Sequence, residues 1–545
     1  MKARWGILRS ALLHSSNDYN ESKQQHSIHR FSGYCLLKAR PANLFSSSSP
    51  PESEPSIRRI EPFLTEYHWD AAQDDSSKRN FCQLEIAILA LASCFPKGKC
   101  IRITRDIDTE NENNNNSGTI PQFSESWLDS IKERCQPFVR LWKVSEGAEE
   151  RKDKSTRMIV ATLLIQETST STKYQPMLYD LDVTNKTESN GGTSIVDSHR
   201  PRCRDIIWTR EPRETRLSLD DLVSHRRNNG VDNTGNICVW DSERTLAYLL
   251  YHHFDCFFSL TESCCDSKNT KQSVFCGRHV DHEFNHDLIL QRQSNEKSDD
   301  SGIRILELGT GMAGLSAVAL GIRLAMQRRK EKNEAKRKKN IRITLTDGNP
   351  VGVKNNSINM YLTKLNSLAT LRHTELYPHY LDLDIECETL MWTTDIDGGG
   401  DSDVEQQDLV LVSDCVHFQN FHAALAITTL RCMRVGARAV FCQPRRGPSL
   451  DNFFDLLSTA RTLDANNEIE SGSLVSCAWL SHPIIEGKHE EAISHHSDVY
   501  DENLHRPKIL VVTKLREMNE EDRLGFIAFQ DHYNPIEFTS GDGKR

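Results

Sequence analysis

The chain has 545 residues, a formal net charge of −10 and 37% hydrophobic residues. The negative balance argues against a generic nucleic-acid binder while leaving room for local basic patches, and the low apolar fraction implies that parts of the chain do not pack. The 16 cysteines include no C-x-x-C pair and no regular spacing. That argues against a zinc ribbon or a disulfide framework, and for free thiols in a reducing compartment with no metal centre.

The start, "MKARWGILRSALLHSS", is basic and free of acids. It fits a transit peptide or an amphipathic helix with Trp5, Leu8, Leu12 and Leu13 on one face. Residues 44–58 are rich in Ser and Pro and read as linker, and "DTENENNNNSG" (108–118) is low complexity, too polar to offset the entropy of ordering. The apolar run "FCQLEIAILALASCF" (81–95) carries Glu85 and is too short to span a membrane, so it reads as a buried or amphipathic helix. Polar residues dominate 144–200, except for the β-like "RMIVATLLI" (157–165), and return at 290–302.

From residue 303 onward, short apolar runs alternate with helical stretches, the pattern of βα units on a parallel sheet. Strands are expected at 303–308, 341–347, 408–414, 437–444, 472–480 and 507–515. Helices are expected at 313–327, 350–364, 420–434 and 450–462. No helix is expected between the last two strands, which read as a closing antiparallel hairpin.

"RILELGTGMAGLS" (304–316) places Gly309, Gly311 and Gly314 after the first strand as G-x-G-x-x-G. Alone that pattern fits a dinucleotide or S-adenosylmethionine. There is no G-x-x-x-x-G-K-[ST], which argues against a P-loop. Three acids stand at strand ends, where an open α/β sheet binds its ligand: Glu307, Asp347 and Asp414. Asp347 is placed to accept hydrogen bonds from ribose hydroxyls. Glu307, beside the loop, suits a cationic methionine end and repels a pyrophosphate.

"ELGTGMAG", "LTDGN" and "DLVLVSDCVHF" together resemble the seven-β-strand, S-adenosylmethionine-dependent methyltransferases of the lysine-specific group. "DNTGNICVWDSERTLAYLLYHH" (232–253), "FCQPRRGPSLDNFFDLL" (441–457) and "VYDENLHRPKILVVTK" (499–514) are similar to the calmodulin-lysine methyltransferases within that group. "RWGILRSALL" (4–13) and "HRFSGYCLL" (29–37) look like their N-terminal segment, which favours a folded helix over a transit peptide. The resemblance spans about 1–40 and 213–515, leaving the basic stretch near 328–340 and the acidic one near 397–407 outside it.

The resemblance implies a seven-strand Rossmann-like α/β sheet with helices on both faces, an antiparallel C-terminal hairpin and a variable, partly disordered N-terminal region. The implied divisions are a packing segment at 1–43, a variable insertion at 44–212, the methyltransferase domain at 213–518 and a tail at 519–545. The implied cofactor is S-adenosylmethionine and the implied partner is calmodulin, as a protein substrate. Trp240 would line the cofactor pocket, Glu307, Gly309, Gly311 and Gly314 would hold the methionine end, Asp347 the ribose and Trp392 the adenine. Asp414 would open the methyl-transfer motif. Apart from the resemblance, Arg445 and Arg446, directly after the strand ending at Pro444, form a local basic patch expected to dock an acidic substrate. A monomer without nucleic acid or membrane is expected, in the cytoplasm and secondarily the nucleus.

The chain departs from the pattern at His417, where many relatives carry Tyr, at Asp241, where calmodulin methyltransferases carry Pro, and at Thr310, often Gly. Two other readings stay open: a same-fold methyltransferase for another protein such as a translation factor, and a non-catalytic cofactor-binding scaffold.

Overall fold

The computed structural model describes residues 302–330, 340–373, 376–395, 406–445, 447–459, 472–496 and 500–533, with 174–182, 205–212 and 238–254. It also describes the short segments 36–37, 39–41, 66–68, 86, 89–90, 100–108, 139–147 and 156–165. The expected N-terminal helix, the low-complexity stretch at 109–118, most of the basic insert and Arg446 lie outside these residues.

A seven-stranded sheet carries the molecule. Its strands are β8 (Ile303–Leu308), β9 (Ile341–Asp347), β10 (Leu383–Thr389), β11 (Gln407–Ser413), β12 (Met433–Pro444), β13 (Val475–Leu480) and β14 (Pro507–Lys514). The order is β10-β9-β8-β11-β12-β14-β13, parallel except that β14 runs antiparallel to both its neighbours. The chain builds outward from β8 to β10, then returns to lay β11 on the other side of β8. The switch point is therefore between β8 and β11, where such sheets bind ligands beyond the carboxyl ends of the strands.

The apolar runs are continuous because both faces are covered. Ile303 and Ile305 of β8, Leu411 of β11 and Val440 of β12 enter one core, with α1 (Asp241–His252) and α2 (Leu315–Lys330). Leu306, Leu308, Val412 and Phe441 point the other way, into a core closed by α4 (His422–Cys432), α5 (Ser449–Thr459) and α8 (Glu520–Tyr533). Helices thus lie on both faces, as expected. α3 (Pro350–His373) is longer than its expected span.

Two expectations need correction. β13 and β14 do pair antiparallel, but α6 (Pro483–His496) and the short α7 (Glu502–His505) stand between them, so they are no hairpin. The segment "PIIEGKHEEAISHH" buries little beyond Ile485 and Ala492, which hides its helical period, although Pro483 at the first position was a start signal. β10 was also missed, because "LDIECET" alternates apolar and acidic residues as an edge strand does. In the stretch expected as a tail, α8 buries Phe526 completely.

Before the sheet, β1 (Ala39–Pro41), β6 (Tyr174–Asp180) and β7 (Ile206–Pro212) form a three-stranded sheet. It is stitched to α3: Trp208 N–H donates to Thr363 Oγ1 at 3.0 Å, and Arg210 N–H to Asn359 Oδ1 at 2.7 Å. A further four-stranded sheet, in the order β2-β3-β5-β4, comprises β2 (Glu66–His68), β3 (Cys100–Asp108), β4 (Val139–Gly147) and β5 (Thr156–Ile165). Ile86, Leu89 and Ala90 of the apolar run at 81–95 are helical and buried. No described helix is long and apolar enough to cross a membrane.

Candidate functional site

The glycine loop leaves β8 with Gly309, Gly311 and Gly314 at φ of 65°, 54° and 60°. Left-handed backbone costs an L-residue about 1–2 kcal/mol, which selects glycine at these points. Space selects it as well at Gly309, where a Cβ would stand 2.5 Å from Cys415 Sγ and 3.1 Å from Trp392 Cζ2. Trp392 therefore lies against the loop.

α3 fixes the outer side of the loop. Asn355 and Asn359 donate to the Met312 carbonyl at 2.8 and 2.7 Å, and Asn356 donates to Thr310 Oγ1 at 2.7 Å. Asn355 Oδ1 also accepts from Arg210 Nε at 2.8 Å, tying β7 to the loop through one helix. These asparagines escaped the sequence reading, although "NNSIN" offers polar residues one helical turn apart. Thr310, a departure from the pattern, has a use here: its hydroxyl donates to the Thr346 carbonyl at 3.2 Å while accepting from Asn356.

Asp347 ends β9 half-buried. Its Oδ2 accepts from Gly311 N–H at 2.8 Å and its Oδ1 from Asn349 N–H at 2.7 Å. Burial pushes its carboxyl up to about 6, against the pull of those two N–H groups. Glu307 is 1% exposed on the face shared with Ile303 and Ile305, under α1 and α2. One oxygen accepts from Ala317 N–H at 2.8 Å. Ser316, at the head of α2, also bonds to this carboxylate. Burial pushes this carboxyl up to about 7.

Trp240 is the residue before α1, and its carbonyl accepts from Arg244 N–H. One turn on, Glu243 Oε1 accepts from Leu315 N–H at 2.7 Å, so the Trp240 end of α1 abuts the helix that follows the glycines. Glu243 went unremarked in the sequence.

Asp414 follows β11 at φ 54°, the one non-glycine residue at positive φ among those described. Its N–H donates to the Cys442 carbonyl at 3.1 Å and its side chain is buried. Strained backbone of this kind persists where the surroundings over-determine it, often at a functional site. The next residue, Cys415, puts its Sγ 3.6 Å from the Leu308 carbonyl, packing the Asp414 turn on the root of the loop. His417 Nδ1 lies 3.0 Å from the Asp414 carbonyl and 3.9 Å from its carboxylate.

The structure thus gathers Trp240, Glu307, the three glycines, Asp347, Trp392 and Asp414 around the β8–β11 switch point. Arg445 stands apart, exposed just beyond β12 and paired with Asp451 at 2.7 Å. His505 and Arg506 lie before β14, where Arg506 pairs with Glu486 and Glu502. The site leaves room for a ligand at the loop: its three glycines carry no Cβ to block close approach, and Asp347 ends the neighbouring strand beside them.

Comparison with solved structures gives likenesses of low identity. The CurJ carbon methyltransferase is 14% identical over 42% of this chain and 52% of its own, with a TM-score of 0.21. A class I S-adenosylmethionine-dependent methyltransferase from Listeria monocytogenes is 10% identical over 43% and 60%, with a TM-score of 0.23. Haemonchus contortus phosphoethanolamine N-methyltransferase 2, in complex with S-adenosylhomocysteine, is 10% identical over 83% and 84%, with a TM-score of 0.21. The chain spans about half the length of the first of these and three fifths of the second. Residues 234–460, which hold the glycine loop, Asp347, Trp392 and Asp414, match the lysine methyltransferase family.

Proposed function

We propose that the protein transfers a methyl group from S-adenosylmethionine to a lysine side chain of calmodulin. The observation that carries the methyl-transfer reading is the placement of Asp414, with its buried carboxylate on a left-handed turn packed against the glycine loop. The bound cofactor supplies an electrophilic methyl on a positively charged sulfur. The chain's own residues have simpler tasks. Asp347 accepts hydrogen bonds, and the glycines allow backbone approach. Trp392 offers an aromatic face to a cation.

A lysine amine attacks only when unprotonated, yet it starts near pKa ~10.4. Desolvation lowers that value, while a carboxylate beside the ammonium raises it. Asp414 therefore orients the incoming ammonium and holds its proton as the amine is freed. Positioning of this kind can supply several kcal/mol of barrier reduction, up to roughly 7–11 for well-aligned reactants.

Calmodulin as the substrate is supported by the "PRRG" and "ENLH" stretches, which resemble the calmodulin-specific group. "ENLH" forms α7, on the approach to β14, and "PRRG" begins at the end of β12. The Pro444 and Pro507 positions of these two strands are paired neighbours, so both stretches share one edge of the sheet. The same reading places a monomer in the cytoplasm. The test is incubation of purified protein with calmodulin and labelled S-adenosylmethionine, followed by mass spectrometry. One methylated calmodulin lysine is expected. Methylation of a translation factor with calmodulin untouched reassigns the substrate, and cofactor binding without transfer to any protein leaves a scaffold.

A further inference from the structure

Gln443, near the end of β12, is 1% exposed, and both ends of its amide bond the turn that carries Asp414. Its Oε1 accepts from Val416 N–H at 3.0 Å, and its Nε2 donates to the Val412 carbonyl at 2.9 Å. An N–H can only donate and a carbonyl only accept, so the orientation of the amide is fixed. One side chain thus spans Ser413, Asp414 and Cys415 and ties both ends of the turn to the neighbouring strand.

The rest of the turn is held as closely. Asp414 N–H donates to the Cys442 carbonyl, one residue before Gln443, at 3.1 Å. The Val416 carbonyl accepts from His422 Nε2 at 2.6 Å and from the Ser449 hydroxyl, on α4 and α5. Asp414 sits inside this frame at φ 54°. An L-residue stays in that region only where its surroundings hold it there. His422 and Ser449 fix the exit of the turn, and the Gln443 amide joins exit to entry. Both of its partners are backbone groups of buried residues, so the position needs an acceptor and a donor together. A neutral amide of this reach supplies both. An ionised glutamate lacks the donor, and methionine fills the space and offers neither.

We propose that Gln443 is a positioning residue for methyl transfer: its amide holds Asp414 in the left-handed conformation that presents the carboxylate to the incoming lysine. This rests on the transfer reading above. The cofactor end of the site has its own braces on the glycine loop, from Asp347 and from Asn355, Asn356 and Asn359 of α3. Loss of the Gln443 amide therefore slows transfer and leaves cofactor binding intact.

Steady-state transfer from labelled S-adenosylmethionine to calmodulin by the full chain gives kcat and KM, and calorimetric titration gives cofactor affinity. Gln443→Met is expected to lower kcat about tenfold, the scale of one buried hydrogen bond, with the S-adenosylmethionine Kd within about twofold of wild type. The loss should fall on kcat more than on KM, because the other contacts of the substrate are untouched. A double-variant cycle separates positioning from a merely structural role. In an Asp414→Asn background the charged group to be positioned is gone, and asparagine tolerates the left-handed turn. There Gln443→Met should change kcat by less than about twofold. Equal fold losses in the two backgrounds overturn the proposal, as does a Gln443→Met chain with wild-type kcat, or one whose kcat and cofactor affinity fall together. Gln443→Glu keeps the test open even where Gln443→Met does not fold. At about pH 8 it retains the acceptor and lacks the donor, so an intermediate kcat with unchanged Kd is expected, and wild-type kcat overturns the clamp. A wild-type chain that binds S-adenosylmethionine and methylates no protein defeats the transfer reading itself. An active wild type indifferent to Gln443→Met defeats only the role of Gln443.

Discussion

Asp347 Oδ2 accepts a hydrogen bond from Gly311 N–H at 2.8 Å, so the acid that ends the second strand of the domain also holds the glycine loop in place. One carboxylate has two tasks, because each oxygen keeps a lone pair beyond the backbone bond it makes. Asp347→Ala removes the loop brace together with the acceptor for ribose hydroxyls. S-adenosylmethionine binding is expected to be lost, at about 1.5–3 kcal/mol for each charge-assisted bond. Asp347→Asn keeps one acceptor oxygen and should weaken binding less. Calorimetric titration that finds Asp347→Ala as tight as wild type would remove the ribose assignment.

The same carboxyl gives a pH dependence. It titrates near about 6 because burial raises it more than the two N–H groups lower it. The ionised form is the better acceptor, so cofactor affinity should fall as pH drops through that value. Asp347→Asn should flatten this part of the profile. A variant whose profile between about pH 5 and 7 follows wild type at a constant offset would mean that another group titrates.

A Cβ at residue 309 meets Cys415 Sγ at 2.5 Å, at a φ of 65°. Gly309→Ala should therefore lower stability by more than the roughly 1–2 kcal/mol of the left-handed backbone alone. Cys415→Ala removes the clashing sulfur and leaves the backbone cost. The double variant should recover part of the loss in Tm, in excess of the sum of the single effects. Strict additivity in thermal denaturation would show that the clash is relieved elsewhere.

The sheet was legible because its central strands are buried on both faces, and so appear as unbroken apolar runs such as "DLVLVS". The glycines and the acids at the strand ends were legible because backbone geometry and topology leave few alternatives there. Periodicity failed where elements are amphipathic on a small scale: β10 alternates with acids, and α6 buries few residues. Glu243 and the asparagines of α3 were invisible for a different reason. Their partners, Leu315 and Met312, lie tens of residues away in the chain, and only the fold brings them together. Asp414 was picked as an acid at a strand end, but no sequence rule gave its left-handed backbone.

Glu307 predicts an inverted stability profile. Burial holds its carboxyl at about 7 in the folded chain. In the unfolded chain it ionises near ~4.3. The folded state thus keeps a proton that the unfolded state has released, so this group lowers stability as pH rises across that window and stays unfavourable above it. Glu307→Gln abolishes the titration and still offers an oxygen to Ala317 N–H. Its Tm relative to wild type should climb between about pH 4 and 8, as read by calorimetric melting without cofactor. A difference in Tm that does not change with pH would place the raised pKa elsewhere in the coupled cluster.

Arg445 follows β12, at the same carboxyl edge of the sheet as the glycine loop and Asp414, and Arg446 is next in sequence. On the calmodulin reading proposed above, the substrate is acidic and this chain is net negative at −10, so overall attraction would not drive an encounter and a local basic patch would have to. Such a patch acts within roughly a Debye length, ~8 Å at physiological salt. Arg445 is already held by Asp451 through two nitrogens, at 2.7 and 3.0 Å. The pair is exposed, and exposed pairs are worth only about 0–1 kcal/mol, so an acidic substrate can compete for the guanidinium. Arg445→Glu faces Asp451 with a like charge and so disturbs the loop as well as docking. Arg446→Glu is the cleaner test. It should raise the apparent KM for calmodulin, by a larger factor at low salt, with cofactor affinity unchanged. Arg445→Glu should also raise KM, and Asp451→Asn, which frees Arg445, should lower it. Steady-state kinetics across ionic strength separate these outcomes, and normal calmodulin kinetics for both arginine variants at every salt concentration would end the docking role of this edge.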